Sequence, residues 1–471
     1  MPVTQTPLPS PEPPRMLTRW HAAALVAGSM VGVGIFLTPR IVAAAAGEGA
    51  LYFGVWALGA VVAMAGALSL AELGAMLPKA GGDYVYLREA YGDFAGFLYG
   101  WLSLLASFSG AIAAMAVGIP RFQGPVLFGP GVRAVLIDAP LGPVRLTLAA
   151  DQLLAMALIW TLTALACLRV QVAGRVQLAL TSGLLSILLF GACWALLQGA
   201  SPGSAPSPLP AADLTGVAPS PNVLALLSAS GAVYFAYSGW NTATYVAAEI
   251  RDPPRDLPWA LITATLAVGV LYLVMNAAFV AVLPSVAAAP EAGSATATAL
   301  FGATGGWAMA AILAVAVTGA TLASIIGGSR IPYAMARDGL FFPGIGQLHP
   351  RLRTPVRSLL LQAAWASVLV ASGTFEDLLR WSTLAIMALA LAAVLAVPVL
   401  RRRRPLAERP FRTWGYPWTT VVFVVPCASV LVASAIERPG EAVAAAALVG
   451  LGWLTFRFGW GTSGTRAAPR P

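Results

Sequence analysis

Gly28-Ser-Met-Val-Gly-Val-Gly-Ile-Phe36 lies inside the first long apolar segment of the chain. Each of its glycines weakens a helix by roughly 1 kcal/mol relative to alanine. Unwound backbone at membrane depth exposes N–H and C=O groups, which hydrocarbon tolerates only where they are buried in protein or line a polar cavity. The stretch therefore predicts a broken helix with a ligand site. Taken alone, the pair Gly28 and Gly32 also fits close helix packing.

Composition defines the class of protein. The chain has 471 residues, of which 58% are hydrophobic and 10% are charged, and its mean hydropathy is +0.79. Too few polar residues are present to cover a soluble globule, so a polytopic membrane protein is indicated. The net charge of +9 does not indicate a nucleic-acid partner, because the arginines lie in short loops between apolar segments and report orientation instead.

Twelve apolar segments have the length of about 20 residues that a membrane-spanning helix needs. They lie near 20–46, 50–76, 94–120, 148–168, 174–197, 222–249, 257–284, 305–335, 356–373, 376–400, 417–436 and 440–460. The predicted fold class is an all-α integral membrane protein with about 12 transmembrane helices.

Basic residues predict the orientation. With the N-terminus in the cytoplasm, 22 of the 28 lysines and arginines fall on the cytoplasmic side, as the positive-inside rule requires. We expect a multi-pass protein of the cell membrane with both termini cytoplasmic. Its parts are a disordered cytoplasmic tail (1–19), a core of ten spans (20–400, halves 20–197 and 222–400), a basic cytoplasmic loop (401–416), two further spans (417–460) and a cytoplasmic tail (461–471).

Span six repeats the interruption of span one. Small and polar residues break its apolar run at Tyr234-Phe-Ala-Tyr-Ser-Gly-Trp-Asn241. Interrupted segments at corresponding positions of two five-span halves indicate the site of a secondary transporter built from inverted repeats. A half-helix beginning after Gly34 suits a carboxylate, and carbonyls freed near Met30 and in 235–238 suit an ammonium group. A zwitterion such as an α-amino acid fits both.

Further motifs follow in order along the chain. They are Pro78-Lys-Ala-Gly-Gly-Asp-Tyr-Val-Tyr86, Glu249-Ile-Arg-Asp-Pro253, Tyr333-Ala-Met-Ala-Arg-Asp-Gly339, His349-Pro350 with Arg353-Thr-Pro355, and Arg412-Thr-Trp-Gly-Tyr-Pro417. With the two interrupted stretches, they resemble the amino acid–polyamine–organocation (APC) transporters, and within them the L-type amino acid transporter-like amino acid permeases. The resemblance covers about residues 18 to 420.

The resemblance implies a five-plus-five inverted-repeat core with discontinuous helices 1 and 6, two extra C-terminal helices, and alternating access around a central amino acid. Carried over by motif position, the main-chain groups of Gly32, Val33 and Gly34 would hold the substrate carboxylate. Val33 replaces a serine that is common in this branch, so only its backbone N–H is left for this contact.

The resemblance also assigns the other end of the substrate. The carbonyls of Met30, Phe235 and Ser238 would hold the amino group. Phe235 would in addition be the aromatic gate over the substrate, and Asn241 would be a polar neighbour of the pocket.

The sequence does not define whether transport is coupled to a cation. Many bacterial relatives carry a lysine in span five where this chain has Leu184, and that ammonium can stand in for a coupling cation. Without it, a sodium ion could lie between spans one and eight with Ser324 supplying an oxygen, or transport could proceed without that charge. We interpret the chain as a secondary active amino acid exchanger or uniporter. The alternative is a proton- or sodium-coupled symporter for amino acids or amines on the same fold.

Charged residues at the ends of spans suggest a gate. An ionisable residue within a span is a functional hypothesis by default. We assign Glu249 and Arg251 to an inner gate, Glu72 to the membrane interface, and 401–404 to an anchor on lipid head groups.

Other partners and cofactors are not expected. The histidines, His21 and His349, lie at the start of span one and in a loop, so neither an enzyme nor a metal site is indicated. The heteromeric members of the L-type-like branch bind a glycoprotein through a cysteine between spans three and four. Residues 121–147 contain no cysteine, so we expect no disulfide-linked heavy chain. The expected partners are the amino acid and the lipid bilayer.

Overall fold

The computed structural model describes residues 13–141, 144–199, 223–372, 375–437 and 439–460. In the first half the α-helices are α1 (Arg19–Met30), α2 (Gly34–Ala46), α3 (Ala50–Met76), α4 (Asp83–Tyr91), α5 (Asp93–Leu102), α6 (Phe108–Gly118), α7 (Gly124–Phe128), α8 (Ala150–Cys167) and α9 (Val170–Gly199). In the second half they are α10 (Val223–Tyr237), α11 (Thr242–Tyr245), α12 (Pro253–Val282), α13 (Ala292–Gly328), α14 (Arg330–Arg337), α15 (Val356–Ser372), α16 (Phe375–Arg403), α17 (Trp418–Glu437) and α18 (Pro439–Thr455).

The helices confirm a many-span membrane protein. Nine helical stretches among the described residues are long and apolar enough to cross a bilayer. The pair α1 and α2, bent by 44°, makes a tenth, and the shorter apolar helices Ala225–Tyr237 and Val356–Ser372 occupy the positions predicted for spans six and nine. Span three runs continuously from α5 to α7, because π-helical turns at Ser103–Ser107 and Ile119–Gln123 join the three helices.

The region between spans three and four differs from a plain loop. The predicted loop 121–147 contains an antiparallel hairpin of β1 (Val135–Leu141) and β2 (Val144–Ala149), so the description as all-α needs this correction. Apolar and β-branched residues in this stretch favour strands.

Span eight begins earlier than predicted, at Ala292, and Gly302 interrupts it with a left-handed φ of 63°. The predicted linker 198–221 lies almost wholly outside the described residues.

The segment around α4 folds back against the core. From sequence, the aromatic segment 78–89 is compatible with a plain connector or with a short amphipathic element that folds back. The structure shows a helix whose side chains Asp83, Tyr84 and Tyr86 are fully buried. The second interpretation is therefore confirmed.

Glu72 lies in the interior, which corrects its placement at the interface. Its carboxylate is fully buried, accepts hydrogen bonds from Arg401 at 2.9 Å and from the Thr413 N–H at 2.8 Å, and lies 3.3 Å from Arg409. A buried carboxylate needs such compensation. Arg404 likewise pairs with Glu89 at 2.5 Å. Part of the predicted lipid anchor is thus engaged in ion pairs within the protein.

Met16 and Leu17 are ordered, although they belong to the tail (1–19) that the sequence predicts to be disordered. The N–H groups of Met16 and Leu17 donate to the Glu249 carbonyl at 2.8 Å, and the Arg251 N–H donates to the Leu17 carbonyl at 2.9 Å. The Leu17 side chain is buried. Residues 1–12 and 461–471 lie outside the described residues.

Candidate functional site

Span one breaks where its glycines are concentrated. Helix α1 ends at Met30, and α2 begins at Gly34 without a side-chain cap. The backbone N–H groups of Val33, Gly34 and Ile35 make no hydrogen bond within the described part of the chain. Free N–H groups at a helix N-terminus, together with the positive end of the helix dipole, bind anions. This break is therefore suited to a carboxylate, as the sequence predicts.

Span six breaks after Tyr237. Gly239 adopts a left-handed φ of 101°, which turns the chain between α10 and α11. The Ser238 N–H and hydroxyl both donate to the Phe235 carbonyl, at 3.0 and 2.7 Å. The Ser238 carbonyl accepts no hydrogen bond from the residues that the structure describes.

The two breaks touch each other. A Cβ atom on Gly34 would lie 2.5 Å from the Ala236 Cα, and one on Gly239 would lie 2.6 Å from the Ser29 Oγ. The Thr242 hydroxyl donates to the Ser29 hydroxyl at 2.9 Å. Glycine at positions 34 and 239 therefore serves close backbone approach as well as unwinding.

A cavity of about 70 Å³ lies between the breaks. That volume is large enough for water or a small ligand, since a cavity needs roughly 10–15 Å³ to hold one water. All seven residues predicted to bind substrate line this cavity: Met30, Gly32, Val33, Gly34, Phe235, Ser238 and Asn241. Ser324 lines it too, whereas Leu184 does not. The apolar side of the cavity contains Ala111, Met115 and Ile386.

Tyr272, which the sequence did not single out, contacts the backbone of both breaks from outside the cavity lining. Its fully buried hydroxyl lies 2.7 Å from the Met30 carbonyl and 3.0 Å from the Ala236 carbonyl, so it bridges the two breaks. The Met30 carbonyl also accepts from the Gly32 N–H at 3.0 Å. The acceptors assigned to the amino group at Met30 and Phe235 are thus already engaged in this conformation. No local signal marks Tyr272, because it lies on α12, far along the chain.

Asp83 is a second missed residue, and it lines the same cavity. Its Oδ2 accepts hydrogen bonds from Asn241 at 2.7 Å, Tyr245 at 2.9 Å and Tyr99 at 3.2 Å. The cluster joins α4 to α5 and to the break in span six. A carboxylate in the aromatic segment 78–89 was the available sequence signal. Asn241, predicted as a polar neighbour, reaches the cavity as part of this cluster.

The Glu249 carboxylate is not paired with Arg251, the residue assigned with it to the inner gate. Glu249 forms a two-pronged ion pair with Arg330, at 2.8 and 3.2 Å, and both side chains are buried. Arg251 is exposed. The partner was missed because Arg330 follows span eight, whereas Arg251 is adjacent in sequence. Buried charges require a fixed, well-oriented partner, which the guanidinium of Arg330 supplies.

A family model described as "Amino acid permease" matches residues 17–454. The chain belongs to the amino acid permease family. The permease is 30% identical to the Asc-type amino acid transporter 1 of Mus musculus over 89% of this chain and 76% of the relative. It is 27% identical to the serine/threonine exchanger SteT of Bacillus subtilis over 93% and 95%. With the human large neutral amino acids transporter small subunit 2 the identity is 29%, over 83% and 70%.

This membership confirms the resemblance inferred from the motifs. It makes the permease an amino acid transporter of the membrane rather than an enzyme, and its broken helices lie where such a transporter needs a substrate site.

Proposed function

We propose that this permease exchanges small neutral amino acids across the cell membrane by alternating access. The observation that carries the proposal is the cavity of about 70 Å³ at the uncapped N-terminus of α2. A cavity this small favours a small substrate, of the size of alanine or serine. The names of two relatives, an Asc-type transporter and a serine/threonine exchanger, agree with this size.

The substrate carboxylate is assigned to the N–H groups of Val33 and Gly34, where the helix dipole favours an anion. The amino group is assigned to the unpaired carbonyl of Ser238, with the Met30 and Phe235 carbonyls joining only if their present donors move away. Phe235 closes over the substrate, and the side chain of the amino acid faces the apolar wall of the cavity.

Exchange follows from the energetics of the empty site. Without substrate, only water can pair with the free N–H groups of α2. Closure that expels this water is disfavoured, because each buried donor left unpaired costs about 1–3 kcal/mol. Bound amino acid satisfies these groups and permits closure. Reorientation is therefore faster with a substrate than without one, and this property produces exchange rather than net uptake.

The Glu249 and Arg330 pair is proposed as the inner gate, in place of Glu249 with Arg251. In the orientation given by the positive-inside rule, this pair closes the cytoplasmic end and both termini are cytoplasmic. Residues 121–147 contain no cysteine, so the proposed permease works without a disulfide-linked heavy chain.

The test is uptake of labelled serine into liposomes that contain the purified permease. We expect several-fold faster uptake when unlabelled alanine or serine is inside than when the liposomes are empty. Phe235→Ala should reduce this uptake more than tenfold. The matched control is Phe279→Ala, which removes a buried ring of α12 away from the cavity. Equal losses in the two variants would make Phe235 merely structural.

Two other results would decide against exchange. Uptake that ignores the internal amino acid across a full amino acid panel would remove the exchanger proposal. Uptake that collapses when a sodium or proton gradient is abolished would favour a symporter on the same fold.

A further inference from the structure

Asp83 combines complete burial with a position on the cavity wall and no basic partner among the described residues. Its Oδ2 accepts three hydrogen bonds, whereas its Oδ1 has no hydrogen-bond partner within that part of the chain. The two other carboxylates buried to a similar degree, Glu72 and Glu249, are each paired with arginine. The ionised form of Asp83 is therefore left without compensating charge.

The groups around Asp83 do not supply that charge. The titratable groups facing it are the phenols of Tyr99 on α5, Tyr245 on α11, Tyr86 on α4 and, farther away, Tyr234 on α10. Phenols ordinarily ionise near pH 10, so they stay neutral between pH 5 and 8.

The charged residues nearby are already committed to other partners. Arg88, on the same helix, pairs with Asp93 at 2.6 Å and with Asp338 at 2.7 Å. Arg330, whose helix α14 packs beside Gly81, pairs with Glu249. Burial raises the pKa of the Asp83 carboxyl to about 6, although hydrogen bonds from Tyr245, Asn241 and Tyr99 act in the opposite direction.

We propose that Asp83 is a proton-binding site of the transport cycle, which takes up one proton on Oδ1 when the pocket closes at the α4 end and releases it to water when that end opens. The inference rests on the proposed function, because it takes the cavity to be the transport pocket. In the closed form, the Gly81 N–H, just before α4, donates to the Tyr245 carbonyl at the end of α11 at 3.0 Å. Opening at this end separates these two segments. That separation brings water to the carboxyl.

The size of the effect follows from linkage between proton binding and conformation. The closed form, with a pKa of about 6, binds the proton more tightly than a hydrated form whose pKa is about 4. Lowering the pH therefore favours the closed form. Between pH 7 and pH 5 the ratio of closed to open molecules rises about tenfold for this pair of pKa values.

The experiment measures exchange of labelled serine against internal serine in proteoliposomes at equal internal and external pH. We expect the rate of the unmodified permease to fall severalfold, towards tenfold, from pH 7 to pH 5. Asp83→Asn, which mimics the neutral acid, should be slow and independent of pH. Asp83→Glu should keep a pH dependence with a shifted midpoint. The control Asp151→Asn, a buried carboxyl at the start of α8 away from the cavity, should keep the original profile.

A second measurement needs no transport. Infrared difference spectra of the purified permease between pH 5 and pH 8 should contain a carboxylic-acid C=O band that is present in Asp151→Asn and missing in Asp83→Asn. If this band survives in Asp83→Asn, or if the exchange rate of that variant keeps the original pH profile, Asp83 is not the proton site.

Other ligands of the Asp83 carboxylate would give different experimental results. Binding of serine that is abolished at every pH by Asp83→Asn, measured by thermal shift, would assign Asp83 to the substrate ammonium group instead. A sodium dependence that disappears in Asp83→Asn would assign it to a metal cation. Either result overturns the proton site. Absence of exchange in all proteins at every pH, with the infrared band present, would reject the proposed function and leave proton binding established.

Discussion

At the scale of single residues, Gly34 controls how closely the two broken helices approach. A Cβ atom at this position would lie 2.5 Å from the Ala236 Cα, a backbone atom that cannot rotate away. We expect Gly34→Ala to push the breaks apart and to lower serine exchange by more than tenfold while the protein still folds.

Gly183→Ala is the matched control for Gly34→Ala, because a Cβ atom there meets nothing within 4 Å and the position lies within α9. Alanine in place of a helical glycine stabilises a helix by roughly 1 kcal/mol. Gly183→Ala should therefore transport normally and melt at the same temperature or higher. Similar activity in both variants would show that contact between the breaks is dispensable.

The Tyr272 hydroxyl is the second residue whose role can be isolated. Tyr272→Phe removes the donor that the Met30 and Ala236 carbonyls share. An unsatisfied buried polar group costs about 1–3 kcal/mol, so we expect a rise in KM for serine of about tenfold or more. Tyr237→Phe is the control, because its ring packs 4.9 Å from that of Tyr272 and its buried hydroxyl has no described partner. A KM that rises equally in both variants would contradict the bridging role.

At the scale of elements, the Glu249 and Arg330 pair connects the C-terminal end of span six to α14. Glu249→Gln leaves a buried arginine without its counter-ion, a loss of about 3–5 kcal/mol. We expect a clear fall in the apparent melting temperature. Glu249→Leu combined with Arg330→Met should restore much of the stability, because apolar replacement of a whole buried pair is often neutral.

The double variant separates stability from gating. Without the ion pair, we expect it to leak serine from loaded liposomes even when no external amino acid is present. Glu89→Gln is the control, since its two partners, Lys79 and Arg404, are 59% and 47% exposed and each such pair contributes about 0–1 kcal/mol. A double variant that is stable and still exchanges without leak would remove the pair from the gate.

At the scale of the whole molecule, the sequence predicted most of the architecture because its signals are local. The bounds 50–76 of α3 were predicted to the residue, since an unbroken apolar run is flanked by Gly49 and by Pro78. Both breaks were predicted because glycine and small polar residues interrupt apolar runs. The hairpin was not, because its short strands lie in a stretch that glycine and proline mark as a loop.

The site was predicted less completely, for a reason that is also physical. Main-chain groups at the breaks follow from local unwinding, and all the predicted residues meet at one cavity. Tyr272 and Arg330 act on partners that are distant in sequence, so helix packing alone selects them. No periodicity or spacing rule encodes such a contact.

The short parallel bridge between Leu17 and Ile250 joins the residues just before span one to the C-terminal end of span six. Its hydrogen bonds join main-chain groups, so substitutions other than proline at these positions keep the donors and acceptors. We expect span one and span six to move together at this end, because these bonds join them. Under the proposed function, both ends of the amino acid would then be released to the same side in one step.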